Sequence, residues 1–93
     1  MRVPIIPSTQ NKAVSTPLFE SKRKANVKIQ IFDPITLYVA LQQNDLTSGL
    51  DAVGNPQRGL QLGQGIWDFL GFNGQLFGLC NAATEIEVQW WYV

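Results

Sequence analysis

Histidine is absent from the 93 residues. Without imidazole there is no histidine general base, no histidine-based triad and no imidazole metal ligand. Cysteine occurs once, at Cys80, so neither an intramolecular disulfide nor a cysteine-based zinc knuckle can form. Cys80 closes the apolar run Leu76-Phe77-Gly78-Leu79-Cys80, and a buried, inert thiol is expected there. No apolar run reaches the roughly 18 residues that a membrane-spanning helix needs. The opening Met1-Arg2-Val3-Pro4-Ile5-Ile6-Pro7 lacks the apolar core of a signal peptide, so the expectation is a protein made and used in a cytoplasm, or assembled there into a particle. Net charge is also lacking: seven basic and seven acidic side chains cancel. That balance argues against nucleic acid as the main partner, because affinity for a polyanion comes from net basic surface. The few carboxylates fall in turns or, as with Glu85 and Glu87, on what reads as a solvated strand face. Gly59–Gly65 is glycine-rich but lacks the lysine and spacing of a phosphate-cradling loop. The chain is therefore expected not to be an enzyme and to carry no cofactor and no metal.

What is present divides into two parts. Residues 1–26 hold prolines at 4, 7 and 17, each of which disfavours helix for the residue before it. Neither a 3.6 nor a 2.0 period runs through this stretch, so it reads as an extended N-terminal arm without a core of its own. Charge divides nearby. Residues 1–28 carry six basic side chains and one acidic, a balance of +5, while residues 29–93 carry one basic and six acidic, a balance of −5. A basic arm joined to an acidic body suggests that the arm lies on an acidic neighbour, and the Lys22-Arg23-Lys24 cluster is its densest point of charge. Contact of that cluster with nucleic acid, or a merely solvated tail, are the other readings of it.

Residues 27–93 read as a compact β body. Val27, Ile29 and Ile31 alternate with Lys28 and Gln30, which predicts a half-buried strand. Asp33-Pro34 marks a turn, and Ile35–Leu41 is rich in β-branched and aromatic residues. A long Gly-rich loop follows over residues 42–64, with a helical turn conceivable near Leu50–Val53; its length predicts contact with partners. Asn73-Gly74 is the favoured pair for a two-residue hairpin turn and predicts a hairpin joining Ile66–Phe72 to Gln75–Cys80. The last strand, Thr84–Val93, puts Ile86, Val88, Trp90 and Tyr92 on an inner face and Glu85, Glu87, Trp91 and Val93 on an outer one. The fold class expected is all-β, a small sandwich or barrel of about five strands behind the arm.

The Pro-containing arm Met1–Asn26, the β body Val27–Val93 and the aromatic end Trp90-Trp91-Tyr92 together resemble the small accessory proteins of tailed-bacteriophage particles: decoration, cement, minor capsid or small head-to-tail proteins. The resemblance covers the chain in outline. It implies a structural subunit of a virion, docked on a shell lattice, often as a trimer, with the arm tied to adjacent subunits. The partners implied are other copies of the chain or a major capsid-like shell protein, with no membrane involved. Interface residues expected on this reading are Val3, Ile5, Ile6, Leu18 and Phe19 for apolar contact, Lys22, Arg23 and Lys24 for charge, and Trp91 as an aromatic anchor. The alternative is a β-sheet binding module that recognises a host receptor, glycan or peptide through the Gly-rich loop and the aromatic C-terminus.

Overall fold

A computed structural model describes every residue from Met1 to Val93. The fold is all-β: one antiparallel sheet of six strands, curled into a half-barrel, with a single short helix. The elements in chain order are β1 (Arg2–Ile5), β2 (Thr16–Ile31), β3 (Leu37–Ala40), α1 (Gln43–Thr47), β4 (Leu60–Leu62), β5 (Gly65–Leu79) and β6 (Thr84–Tyr92). Across the sheet they lie in the order β1-β6-β2-β5-β3-β4. Two long strands, β2 and β5, of 16 and 15 residues, form its spine. Laid straight, fifteen residues would span about 50 Å at roughly 3.3 Å each. The longest dimension of the molecule is 40 Å, because both strands bend.

Bulges produce the bends. Ser21 pairs with Gly74 and Ala25 with Phe72, so Lys22, Arg23 and Lys24 on β2 face Asn73 alone on β5. Between Ala25–Phe72 and Val27–Phe69 the excess switches to β5, where Leu70 and Gly71 oppose Asn26. Gly71 takes φ +62°, a left-handed conformation that glycine adopts without penalty, and its N–H donates to Asn26 Oδ1 at 2.9 Å.

The concave face holds the core. Val27, Ile29 and Ile31 of β2 sit at its centre, each about 1% exposed or less, between Ile86 and Val88 of β6 and Leu37, Val39 and Leu62 at the other side. The alternation predicted for 27–31 and for the start of the last strand is what the register shows: Ile29 faces Val88 and Ile31 faces Ile86. Cys80 is a free, buried thiol. α1 lies against β3 and β5, and its one buried side chain, Leu46, is fully buried, as is Leu79 of β5; both lie outside the main core cluster.

Three expectations change. The N-terminal stretch is not an arm separate from the body. β1 pairs with β6 through Arg2–Glu87 to Ile5–Thr84, and β2 begins at Thr16, so no boundary falls at residue 26. The prolines that argued for an arm occupy positions a sheet tolerates: Pro4 is on an edge strand, and Pro17 lies in the part of β2 that β6 does not reach. Secondly, Asn73-Gly74 makes no hairpin. β5 runs through it unbroken, and both halves that were expected to pair with each other pair instead with β2. Thirdly, residues 42–64 are structured. They contain α1 and β4, and in place of a helical turn at Leu50–Val53 the Asp51 carboxylate accepts the N–H groups of Val53 and Asn55 at 3.0 and 2.9 Å.

Candidate interaction surface

The concave face is closed at one end and open at the other. At the closed end lies the connection of residues 6–15 between β1 and β2, folded on itself by a Thr9–Lys12 bridge. Ser8 is buried there, with its N–H on the Cys80 carbonyl at 2.8 Å and its hydroxyl accepting from Val14 N–H at 3.0 Å. At the open end β3 and β4 stop while β5 continues. The space between them is a groove of about 310 Å³ lined by Val39, Ala40, Leu41, Leu60, Phe69, Phe72 and Leu76, all apolar. Leu41 and Leu60 form its rim, 60% and 55% exposed.

From Phe72 a row of rings crosses the concave face to β6. Phe72 lies 6.1 Å from Phe19, Phe19 lies 5.7 Å from Trp90, and Trp90 meets Tyr92 edge-on at 5.4 Å. The two bulges make the row possible. They keep Phe69 and Phe72 on the same face across an odd spacing, and they bend β2 so that Phe19 comes back over the rings of β6. The row ends at a cation, the Arg23 guanidinium, 4.1 Å above the Tyr92 ring. On the convex face Lys28 stands 6.0 Å from the Trp91 ring.

The Lys22-Arg23-Lys24 bulge is built rather than frayed. The Ser21 hydroxyl accepts from Arg23 N–H at 3.1 Å and donates to the Arg23 carbonyl at 2.9 Å, and Val93 N–H donates to the Lys24 carbonyl at 3.2 Å. All three side chains are exposed, and none has a carboxylate partner within the chain. Other cations do: Arg2 pairs with Glu87 at 3.3 Å and Glu85 at 3.7 Å, and Arg58 with Asp45 at 3.7 Å. The N-terminal ammonium bonds Glu87 at 3.0 Å, and this contact leads in holding that carboxyl below its usual range.

The interface residues expected from sequence are thus divided. Val3, Ile5, Leu18 and Phe19 are buried in the chain's own core and are not available to a partner. The physical reason is strand pairing, of β1 with β6 and of β2 with β5 and β6, which turns these side chains inward. Ile6, Lys22, Arg23 and Lys24 are exposed, and Trp91 is 47% exposed on the face that carries Glu85 and Glu87. Trp90, expected in the core, is 45% exposed, because the sheet has no strand beyond β6 at that level. Sequence reading missed the groove altogether. Its residues come from β3, β4 and β5, and only the long β2–β5 pairing brings them together.

No three side chains of the cysteine, aspartate and glutamate type converge as a metal site would require. No helix is long and apolar enough to cross a membrane. No family model matches the chain, and neither a curated protein nor a solved structure is similar to it.

Proposed function

We propose that the chain is a structural subunit of a larger protein assembly, of the kind that small accessory proteins form on tailed-bacteriophage particles: decoration, cement or minor capsid proteins of a virion put together in the host cytoplasm. The observation that carries this reading is the open end of the half-barrel. There a wholly apolar groove, a row of aromatic rings and three unpaired cations adjoin one another, with Leu70, Trp90, Trp91 and Tyr92 between 45% and 75% exposed. Contiguous exposed apolar surface rimmed by charge marks interaction sites on soluble proteins. The groove offers no polar side chain with which to orient a reacting group. The partners on this reading are further copies of the chain or a shell protein, and the contacts run through the open end in place of a free arm.

A second reading, a β-sheet module that binds a host receptor, glycan or peptide, draws on the exposed rings of Trp90, Trp91 and Tyr92. Light scattering of the purified chain over a range of concentrations separates the two. A structural subunit is expected as a multimer or as a concentration-dependent mixture. A monomer at every concentration favours the binding module. Mass spectrometry of purified particles from cells that produce the chain tests the virion assignment directly.

A further inference from the structure

The open end contains an unfinished sheet edge. β1 covers β6 only as far as Glu87, with Met1 extending the pairing by one step: the Val88 N–H donates to the Met1 carbonyl at 2.9 Å, and the ammonium of Met1 donates to the Val88 carbonyl at 2.9 Å. Val88 therefore points its backbone groups away from β2. Val93 points toward β2, since its N–H reaches the Lys24 carbonyl. Strand alternation then directs the N–H and C=O of Trp90 and Tyr92 outward, beyond the end of β1, where no strand of the chain lies.

Free edges invite pairing, and proteins guard them with proline, charge, bulges or brevity. The other free edges here are guarded. β1 carries Pro4 and Arg2, the uncovered part of β2 carries Pro17 and Glu20, the uncovered part of β5 carries Asp68 and the Leu70-Gly71 bulge, and β4 has three residues. Gln89-Trp90-Trp91-Tyr92 has no proline, glycine, bulge or charge. Beside it, on the two faces, stand Arg23 over Tyr92 and Lys28 by Trp91.

We infer that the Gln89–Tyr92 edge of β6 receives an extended, acidic segment of a partner protein as an added strand. The inference deepens the structural-subunit reading and rests on it. Main-chain bonds to Trp90 and Tyr92 supply the docking, and alternate side chains of the incoming strand fall against the rings on either face. A carboxylate on the concave side lies toward Arg23 and the Lys22-Lys24 bulge, and one on the convex side toward Lys28. Charge selects against a second copy as occupant, because it presents an uncharged Gln89–Tyr92 edge and brings its own cation cluster to the first.

The probe is an end-blocked peptide of about nine residues alternating valine and glutamate, compared with its lysine-for-glutamate counterpart and with a short oligothymidylate. Amide hydrogen exchange at Trp90 and Tyr92 and tryptophan fluorescence are read together. The glutamate peptide is expected to slow exchange at those two amides and to bind at least about tenfold more tightly than the lysine peptide. The combined variant Lys22→Glu, Arg23→Glu and Lys24→Glu is expected to reverse that order; Arg23→Gln alone, which leaves the bulge in place, should narrow it. Equal binding of the two peptides, protection confined to other strands, tighter binding of the oligothymidylate, or protection of Trp90 and Tyr92 that rises with the protein's own concentration would each overturn the assignment. A multimer that ignores the glutamate peptide removes this inference and leaves the structural-subunit reading. A monomer that takes the peptide does the reverse.

Discussion

Glu87 shows how a single side chain ties the sheet edge together. It accepts from the N-terminal ammonium and pairs with Arg2, and these contacts lower its carboxyl pKa from the ordinary 4.5 against a smaller desolvation effect. A carboxyl with a depressed folded-state value stabilises the fold above its unfolded value and loses that contribution as the pH falls through the lowered one. Asp51 behaves alike, held below 3.8 chiefly by the Asn55 N–H. Thermal melts between about pH 3 and 7 should therefore show an acid limb that Glu87→Gln flattens; an unchanged limb would mean that the β1–β6 edge does not sense this charge. The two neighbouring tryptophans should differ in the same assay. Trp90 packs against both Phe19 and Tyr92, and aromatic pairs contribute about 0.5–1.5 kcal/mol each beyond burial, so Trp90→Ala is expected to cost about 1–3 kcal/mol. Trp91 has only a distant lysine, and Trp91→Ala should stay within about 1 kcal/mol. Equal losses would place the two rings in equivalent surroundings, contrary to the register.

At the scale of elements, strands with uninterrupted alternation were legible from sequence and strands with bulges were not. Val27-Lys28-Ile29-Gln30-Ile31 and Thr84–Val88 have the period of a half-buried strand and form one. Thr16–Asn26 has no steady period because Leu18 and Lys22–Lys24 are bulged residues, which shift the alternation between one face and the other. The same irregularity removed β2 as a visible partner for β5, and Asn73-Gly74 then looked like a hairpin turn when it marks a bend. β1 offered only Val3 and Ile5 as inward residues, too short a pattern to outweigh its proline. If β1 and the first half of β2 are core, Ile5→Ala and Leu18→Ala should each destabilise the isolated chain by about 2–5 kcal/mol, as buried truncations do. Melting temperatures unchanged by both would restore the arm as a separate segment. The bulge gives a second test. Gly71 at φ +62° has no atom crowding the place of a side chain, so Gly71→Ala carries only the backbone penalty, about 1–2 kcal/mol. A neutral result in chemical denaturation would show that β5 can leave the left-handed conformation there without losing the sheet.

The whole molecule is a sheet that curls but does not close. A barrel removes its edges by joining the first strand to the last; here β1 and β4 are the two ends of the order, and the concave face between them is filled at the Ser8 end and empty at the Phe72 end. The asymmetry follows from strand lengths. β2 and β5 extend well past β3 and β4, which end at Ala40 and begin at Leu60, so the rings of Phe69 and Phe72 line one side of a groove that stays open to solvent. Burial of that surface by a partner would yield about 25 cal/mol for each Å² of apolar area withdrawn from water, a gain the isolated chain forgoes. Two consequences are measurable on the folded chain. A solvatochromic naphthalene sulfonate dye should bind it without any denaturant, and Leu41→Glu with Leu60→Glu, both on the rim, should abolish most of that signal. Because those side chains are 60% and 55% exposed, neither change empties the core, and the melting temperature should move little. The same pair of substitutions should shift the light-scattering mass toward the monomer if the groove is where copies meet. If the mass holds while the dye signal falls, the groove belongs to a different partner and the copies join elsewhere. Dye binding that survives both substitutions would show that the exposed apolar surface lies outside the groove, at Leu70 or along β6.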